Sequence, residues 1–337
     1  MAPKISALIP AYNRPQLLRE ALSSALNQSD ACFSEIIVTD DLGMPETIRV
    51  ISECTDLAEG AYPEVTYTRN PRHLGGVASW NRGLSLATGD WITLLHEDDV
   101  LLPDFLRTVQ PHLNDGVAAI AVRCMQGLSL SAAKVPRSSG AVRSYPSQYF
   151  LKSAMTPFPG VVLSRACVQA LGGFDPAWGP LADYEFWYRV SQYGEIVFID
   201  HPGAFYRVSE GQWTTRVWPQ MLRRTLQLRR QIAREQFPEY PRWGKWVARF
   251  FTLRNGRSYF RRYGTGAANS EPTSSGAPAA RVMAQFRQLQ RMPFHWLPSG
   301  WVWASVRLMT WWTRHARSDV GPKRSAFVRT QGKESHA

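Results

Sequence analysis

Disulfide frameworks, zinc ribbons and membrane spans all lack their raw material in this chain. Its four cysteines, Cys32, Cys54, Cys124 and Cys167, are scattered over 337 residues without a C-x-x-C pair, which leaves ordinary reduced thiols. Long apolar runs are missing too. The first, residues 5–9, is halted by Pro10 and is too short for a secretory signal, which points to a cytoplasmic protein. Late in the chain, residues 301–312 carry Arg307 as their one charge, but a dozen residues fall short of the roughly 20 that cross a bilayer. No internal repeat is present. The third scarcity is of acids beyond residue 212: five Asp and Glu there face 23 Lys and Arg, whereas residues 1–212 hold 22 acids and 16 bases. The overall charge of +12 thus divides into −6 and +18, an acidic globular part and a basic extension suited to an anionic surface.

Residues 1–212 alternate strand-like and helix-like segments, the pattern of βαβ units and of a mostly parallel, doubly wound α/β sheet. Strands are expected over residues 4–9, 35–39, 65–68 and 91–95. Helices are expected over 14–27, 45–58 and 77–87, the first with Pro15 at its start and Leu17, Leu18, Ala21, Leu22, Ala25 and Leu26 at helical spacing. Each strand ends in polar residues: Tyr12-Asn13, Asp40-Asp41, Asn70 and Glu97-Asp98-Asp99. In open α/β sheets ligands lie outside the carboxyl ends of the strands, so these clusters should converge. Three adjacent carboxylates closing an apolar strand are costly unless a cation meets them. A divalent metal carrying a phosphorylated substrate answers that cost; the first turn of a helix, with Pro103 following, is the other reading.

Past residue 101 the alternation loosens. Residues 129–144 read as a loop, 155–164 as a second apolar segment and 181–193 as a helix. Residues 213–263 form a basic helical extension, with five arginines over 219–236, and 264–280 a Gly/Ser/Ala/Pro linker. Residues 281–317 interleave Phe286, Phe294, Trp296, Trp301, Trp303, Trp311 and Trp312 with arginines. That composition suits a segment lying at an anionic membrane interface, or aromatics packed onto the first domain. Residues 318–337 read as a disordered tail. Nucleic acid is not an expected partner, because no recognition module is present and the first domain is acidic.

Taken together, Ile9-Pro10-Ala11-Tyr12-Asn13-Arg14, Asp40-Asp41, Asn70 with Gly75-Gly76 and Asn81, and Gly89-Asp90 ahead of His96-Glu97-Asp98-Asp99 resemble a family 2 glycosyltransferase in order and spacing. The resemblance covers roughly residues 4–212. It implies the GT-A nucleotide-diphospho-sugar transferase fold and transfer of a sugar, of hexosyl type, from a nucleotide-sugar donor to a hydroxyl of a polysaccharide or lipid-linked glycan, with inversion. It places Pro10, Ala11, Tyr12 and Asn13 at the nucleobase and ribose. Asp40 would accept from a uracil-like N–H, with Asp41 the better helix cap. Asn70, Arg72, Gly75, Gly76 and Asn81 would line the nucleotide and diphosphate; Asp98 would meet the donor and, with Asp99, hold Mg2+ or Mn2+.

Gly172-Gly173-Phe174-Asp175 and the segment from Leu181 to Arg189 resemble the family's acceptor side. There Asp183 matches the catalytic base and Glu185 faces elsewhere. Three departures stand out: His96 in place of an acid, Ala182 in place of the first acid before Asp183, and Ser209, near Tyr206-Arg207 and Gln212, in place of a metal-binding histidine. They leave a second expectation, a catalytically degenerate sugar-nucleotide binding protein docked at a membrane. Retention of Asp98, Asp99 and Asp183 favours the working enzyme, peripheral on the inner face of the cell membrane. Gln227-Leu-Arg-Arg-Gln231 only half-matches the Gln-x-x-Arg-Trp segment of processive polymerases, which disfavours that class.

Overall fold

The computed structural model describes residues 3–58, 63–155, 158–208, 213–263 and 297–318. Its first half is β1 (Ile5–Ala11), α1 (Pro15–Leu26), β2 (Glu35–Asp40), α2 (Pro45–Asp56), β3 (Glu64–Arg69), α3 (Gly76–Leu86) and β4 (Trp91–Leu94). These strands pair in parallel in the order β3-β2-β1-β4. The inner three are apolar almost throughout because helices cover both sheet faces. Period two then sorts the side chains: Leu8 faces the core that holds Val77 and Leu84 of α3, while Ala7 and Ile9 face the core that holds Leu18, Ala21 and Leu22 of α1. Edge strand β3 alternates exposed and half-buried positions. Proline opens both α1 and α2, where its missing N–H costs nothing.

The second half is β5 (Val100–Leu101), α4 (Phe105–Val109), β6 (Val117–Gly127), β7 (Val142–Ser144), β8 (Val161–Ser164), α5 (Arg165–Leu171), α6 (Ala182–Tyr193), β9 (Glu195–Arg207), α7 (Trp213–Gln236), α8 (Pro241–Tyr263) and α9 (Ser299–Ser318). Strand β8 slots between β4 and β6, antiparallel to both; β9 runs parallel to β6, and β5 and β7 pair antiparallel with β9. The reversed strand has a consequence for the site. Because β8 leads away from the carboxyl ends of the parallel strands, α5 brings the chain back to them. Residues 172–183 therefore share an edge with the ends of β1, β2, β3 and β4.

The basic extension joins the same core. Leu228, Ile232 and Ala233 of α7, Phe237 just after it, Val247, Phe250 and Phe251 of α8, and Val302 and Val306 of α9 are buried with Phe150, Phe186 and Trp187. In α9, Trp303 packs against Tyr149 and Phe251 under Lys152, whereas Trp301 and Leu308 face solvent. Over α9, part of the segment at residues 281–317 thus packs onto the core, with Trp301 and Leu308 left exposed. Phe286, Phe294 and Trp296, the linker 264–280 and the tail from residue 319 lie outside the described residues. Among the described residues no helix is long and apolar enough to cross a membrane.

Gly89, in the turn before β4, donates its N–H to Ser6 Oγ at 2.9 Å. A Cβ there would lie 2.9 Å from the backbone N of Ser6 and 3.0 Å from the carbonyl of Lys4, and neither can yield without moving β1. Gly89→Ala is expected to cost about 1–3 kcal/mol, read as a lower midpoint in urea unfolding with an unchanged slope.

Candidate functional site

The carboxylates after β4 are met first by the protein's own cations. A tight turn, Asp99 N–H to His96 C=O at 3.0 Å, gathers residues 96–99. Asn13 takes a left-handed conformation (φ 58°), which asparagine tolerates, at the turn from β1 into α1. Here the Tyr12 N–H donates to Glu97 at 2.7 Å, and Arg14 clamps Glu97 through Nε and Asp98 through Nη1, each at 2.7 Å. Burial still pushes the Glu97 carboxyl up to about 7, against Arg14 and the Tyr12 N–H. From the other side the Arg207 N–H donates to Asp99 Oδ1 and its Nε to the Asp98 carbonyl, both at 3.0 Å.

What remains after this pairing is informative. Among the described residues, Asp99 Oδ2 is buried without a hydrogen-bond partner, and so is His96 Nε2. His96 Nδ1 lies 3.8 Å from Asp99 Oδ2, and the ring is held between Trp80, stacked at 5.1 Å, and Phe158 at 4.8 Å. Burial drives the imidazole pKa down to about 4, with Asp98 opposing and Arg14 assisting, so the ring is neutral with a lone pair to offer. Burial, then Asp98, raises Asp99 well above the carboxylate range. One ligand atom each from His96, Asp98 and Asp99 lies within 4.8 Å of the others, which fits a divalent cation with one imidazole and two carboxylate donors. The metal expectation named Asp98 and Asp99; His96 completes a set of three. Ser209 and Gln212 lie outside the described residues.

On the nucleotide side two adjacent acids divide the loops between them. Asp40, fully buried, accepts from the N–H groups of Leu42, Gly43 and Met44 at 2.9, 2.8 and 3.1 Å, and so shapes the entry to α2. Asp41 instead accepts from the N–H groups of Leu74 (2.8 Å) and Gly75 (2.9 Å), from Asn70 Nδ2 (2.7 Å) and from His73 (2.8 Å). The cap expected of Asp41 at the second helix is made by neither acid: Asp40 holds the turn ahead of α2, whose N-cap Met44 has no side-chain cap bond, and Asp41 points across the sheet edge to α3. Burial works against the Asp41 charge, but Leu74, Asn70, Gly75 and His73 together hold its pKa below the usual range. Gly75 caps α3 at φ 79°, which glycine adopts without strain, and Gly76 opens the helix. Asn70 is buried, its amide shared between Asp41 and Ser79, while Arg72 is exposed. Tyr12 stands 47% exposed with its ring 5.1 Å from that of His73, two aromatic faces at the mouth of the site. Pro10 and Ala11 close β1 behind it.

Asn81 does not face this loop. Its amide bonds Phe174 in both directions, Nδ2 to the carbonyl at 2.7 Å and Oδ1 from the N–H at 2.8 Å, and so ties α3 to the acceptor-side segment. Gly173 is required beside it, at φ 74° and with no room for a Cβ against the Asn81 amide. Arg189 holds Glu185 at 2.6 Å and the carbonyls of Leu171 and Gly173 at 2.8 Å, which accounts for the Glu185 charge. Asp183 lies in the first turn of α6, half-buried, and accepts the Tyr184 N–H at 2.7 Å. Burial lifts its pKa to about 6, opposed by the backbone N–H groups of Tyr184 and of Asp183 itself.

Three contributors escape a reading of the sequence, and Arg14, which ends the first motif, carried no role in it. His73 sits beside motif residues without a pattern of its own, and Phe158 is one aromatic among many. Arg229 of α7 is the least legible. It is fully buried, donates to the Tyr184 hydroxyl at 3.1 Å, Thr252 Oγ1 at 3.3 Å and the Lys152 carbonyl at 2.9 Å, and pairs with no acid among the described residues. Tyr184 in turn donates to the Phe150 carbonyl. A guanidinium so placed stitches the extension to the turn that holds Asp183. Arg229→Met strands three buried acceptors and is expected to lower stability by about 2–4 kcal/mol in urea unfolding, with partial recovery in Arg229→Lys.

Comparison with known proteins agrees with this geometry. The sequence pattern described as Glycosyl transferase family 2 matches residues 6–166. Over 124 residues the chain is 33% identical to the GalNAc(5)-diNAcBac-PP-undecaprenol beta-1,3-glucosyltransferase of Campylobacter jejuni, a stretch that is 36% of this chain and 38% of that one. The chain thus matches well under half of that relative's length. Among solved structures, S. aureus TarS 1-349 in complex with UDP-GlcNAc superposes with a TM-score of 0.58 at 14% identity, covering 85% of this chain and 81% of that one. The mannosyltransferase PcManGT from Pyrobaculum calidifontis, in complex with GDP-Man and Mn2+, does so at 0.52 and 15% identity, covering 93% and 88%. These two share the GT-A fold of the chain. With the motifs from Ile9 to Asp99 gathered on one sheet edge of that fold and the family pattern matched across them, residues 6–166 belong to glycosyl transferase family 2.

Proposed function

We propose that the chain transfers a sugar, with inversion, from a nucleoside-diphosphate donor to a hydroxyl of a lipid-linked or polysaccharide glycan. The observation that carries the reading is the pair of Asp99 Oδ2 and His96 Nε2, buried without a hydrogen-bond partner among the described residues, beside Asp98 on the edge where the ends of the parallel strands converge. Tyr12 and His73 offer aromatic faces to a nucleobase, and the exposed Arg72 a charge to phosphate. His96, Asp98 and Asp99 would hold Mg2+ or Mn2+, which when bound supplies positive charge to the leaving diphosphate. Arg14 and Arg207 keep Asp98 and Asp99 oriented, and Trp80 and Phe158 hold the His96 ring, before any cation arrives. Asp183 takes the proton of the acceptor hydroxyl as its oxygen bonds the anomeric carbon and the bond from that carbon to the diphosphate oxygen breaks. The proton later passes to water. A binding protein without turnover is disfavoured, since Asp98, Asp99 and Asp183 all keep their carboxylates at the shared edge. The relative named for a PP-undecaprenol substrate supports a lipid-carried acceptor, met on the cytoplasmic face of the membrane.

The test is binding and hydrolysis of UDP-, GDP- and dTDP-sugars with and without Mn2+. Asp99→Asn is expected to lose metal-dependent donor binding. Asp183→Asn should keep donor binding within about twofold and lose on the order of a hundredfold or more in kcat. Binding of no donor under any condition sinks the reading. The pH dependence has a fixed sign. A base with a pKa of about 6 is competent only when ionised, so kcat should rise through pH 6. Stability should move the other way: the folded pKa lies above the ordinary 3.8, so the carboxyl costs stability as pH rises through about 6. Asp183→Asn should therefore be more stable than the parent at pH 8, by about 1–2 kcal/mol after screening at a half-exposed site.

A further inference from the structure

Helices α7 and α8 lie antiparallel, with Ala233 against Gly244 and Arg229 bonded to Thr252. Their inner faces are consumed by the core: Leu228, Ile232 and Ala233 on one, Val247, Ala248 and Phe251 on the other. Their outer faces carry two stripes at helical spacing, Arg223, Arg230 and Arg234 on α7 and Arg242, Lys245 and Arg249 on α8. Five of these six are exposed and Arg230 is half-buried. The stripes meet at Arg230, Arg234 and Arg249, which lie close enough that burial and the two neighbouring guanidiniums depress the Arg230 pKa.

A solvated helix face normally interleaves the two signs. Here none of the six bases forms an ion pair among the described residues. The acids nearest in sequence are Glu235, which is taken by the Tyr188 hydroxyl at 2.6 Å and Gln231 at 2.9 Å, and Glu239 in the turn between the helices. Half-buried Trp243 and Trp246 stand next in sequence to Arg242 and Lys245, with Trp243 edge-on to Phe237 and Trp246 stacked on Phe250. Guanidinium and ammonium groups flanked by half-exposed indoles match the headgroup layer of a bilayer, where tryptophan is favoured and each cation near an anionic lipid adds attraction.

We propose that the outer face of α7 and α8 docks the protein on an anionic lipid bilayer. The surface is electrostatic and lies flat, so it needs no inserted helix. It also moves the membrane contact away from α9, whose Val302, Trp303 and Val306 pack inward. The link to a lipid-carried acceptor rests on the function proposed above; the docking itself does not.

The test uses the full chain in vesicle flotation, with phosphatidylcholine alone or with about a third phosphatidylglycerol, at about 0.1 M and about 1 M NaCl. Binding is expected only to the anionic vesicles at the lower salt. Arg242→Gln, Lys245→Gln and Arg249→Gln combined should reduce the partition coefficient on the order of a hundredfold, and Arg223→Gln with Arg234→Gln somewhat less. Both sets are on the surface, and circular dichroism melting should show parental stability. Trp301→Ser with Leu308→Ser should bind as the parent does. No binding by the parent, equal binding to neutral vesicles, loss confined to the α9 variant, or tighter binding to a single-stranded RNA oligomer would each overturn the proposal. Sugar-nucleotide hydrolysis without vesicle binding defeats this surface alone, and vesicle binding without donor binding defeats the catalytic reading alone.

Discussion

Three carboxylates at the end of a buried strand set the terms for everything around them. A buried charge without a partner costs several kcal/mol, so Glu97, Asp98 and Asp99 require cations from several directions. Arg14 arrives from the start of α1 and Arg207 from the end of β9, segments far apart in sequence. Satisfying them fixes where β1 turns, where β9 stops and how the loop after β4 folds. Arg207 also reaches Glu20 on α1 at 2.5 Å, so the two ends of this clamp are themselves linked. The residual need at Asp99 Oδ2 and His96 Nε2 among the described residues is what supports reading the place as a site and not merely as a neutralised cluster.

The same edge is divided into two halves with different fastenings. Asp40 and Asp41 hold the loops after β2 and β3, Asp40 through backbone N–H groups and Asp41 through backbone N–H groups together with the side chains of Asn70 and His73. The acceptor-side segment is fixed by amide and guanidinium groups, Asn81 on Phe174 and Arg189 on Gly173. Between them runs an aromatic seam of Trp80, Phe158, Phe174 and Trp187, with ring separations of 4.9 to 6.4 Å, that keeps α3 and α6 in register.

Much of this was legible in the sequence, for definite reasons. Strands β1, β2 and β4 are short apolar runs closed by polar residues, and α1 announces itself by proline and 3.6-residue spacing, so the order of units and the converging edge follow from local pattern. Asp98, Asp99 and Asp183 carried signals of position within ordered motifs. Pattern fails where a role depends on what lies across the fold. Asn81 is in a helix whose neighbour, Phe174, is 93 residues away, and nothing local tells that its amide is spent there. That Asp40 serves the turn before α2 and Asp41 the loop before α3 depends on which way each points at a strand end. Arg229 was hidden because a basic helix reads as a solvated one; burial of one arginine out of five shows only when α8 and the segment from Ser147 to Leu151 are packed on it.

The abrupt change of charge at residue 212 looks like a seam between modules, yet the hydrogen bonds of Arg229 cross it. A buried guanidinium that serves Tyr184, Thr252 and Lys152 at once makes the basic half a wall of the catalytic domain. Electrostatic duty and folding unit therefore have different borders in this chain. The outside of α7 and α8 can change without disturbing the fold, while the inside of the same helices is tied to the core beneath the turn that holds Asp183; the extension is not a separable cassette.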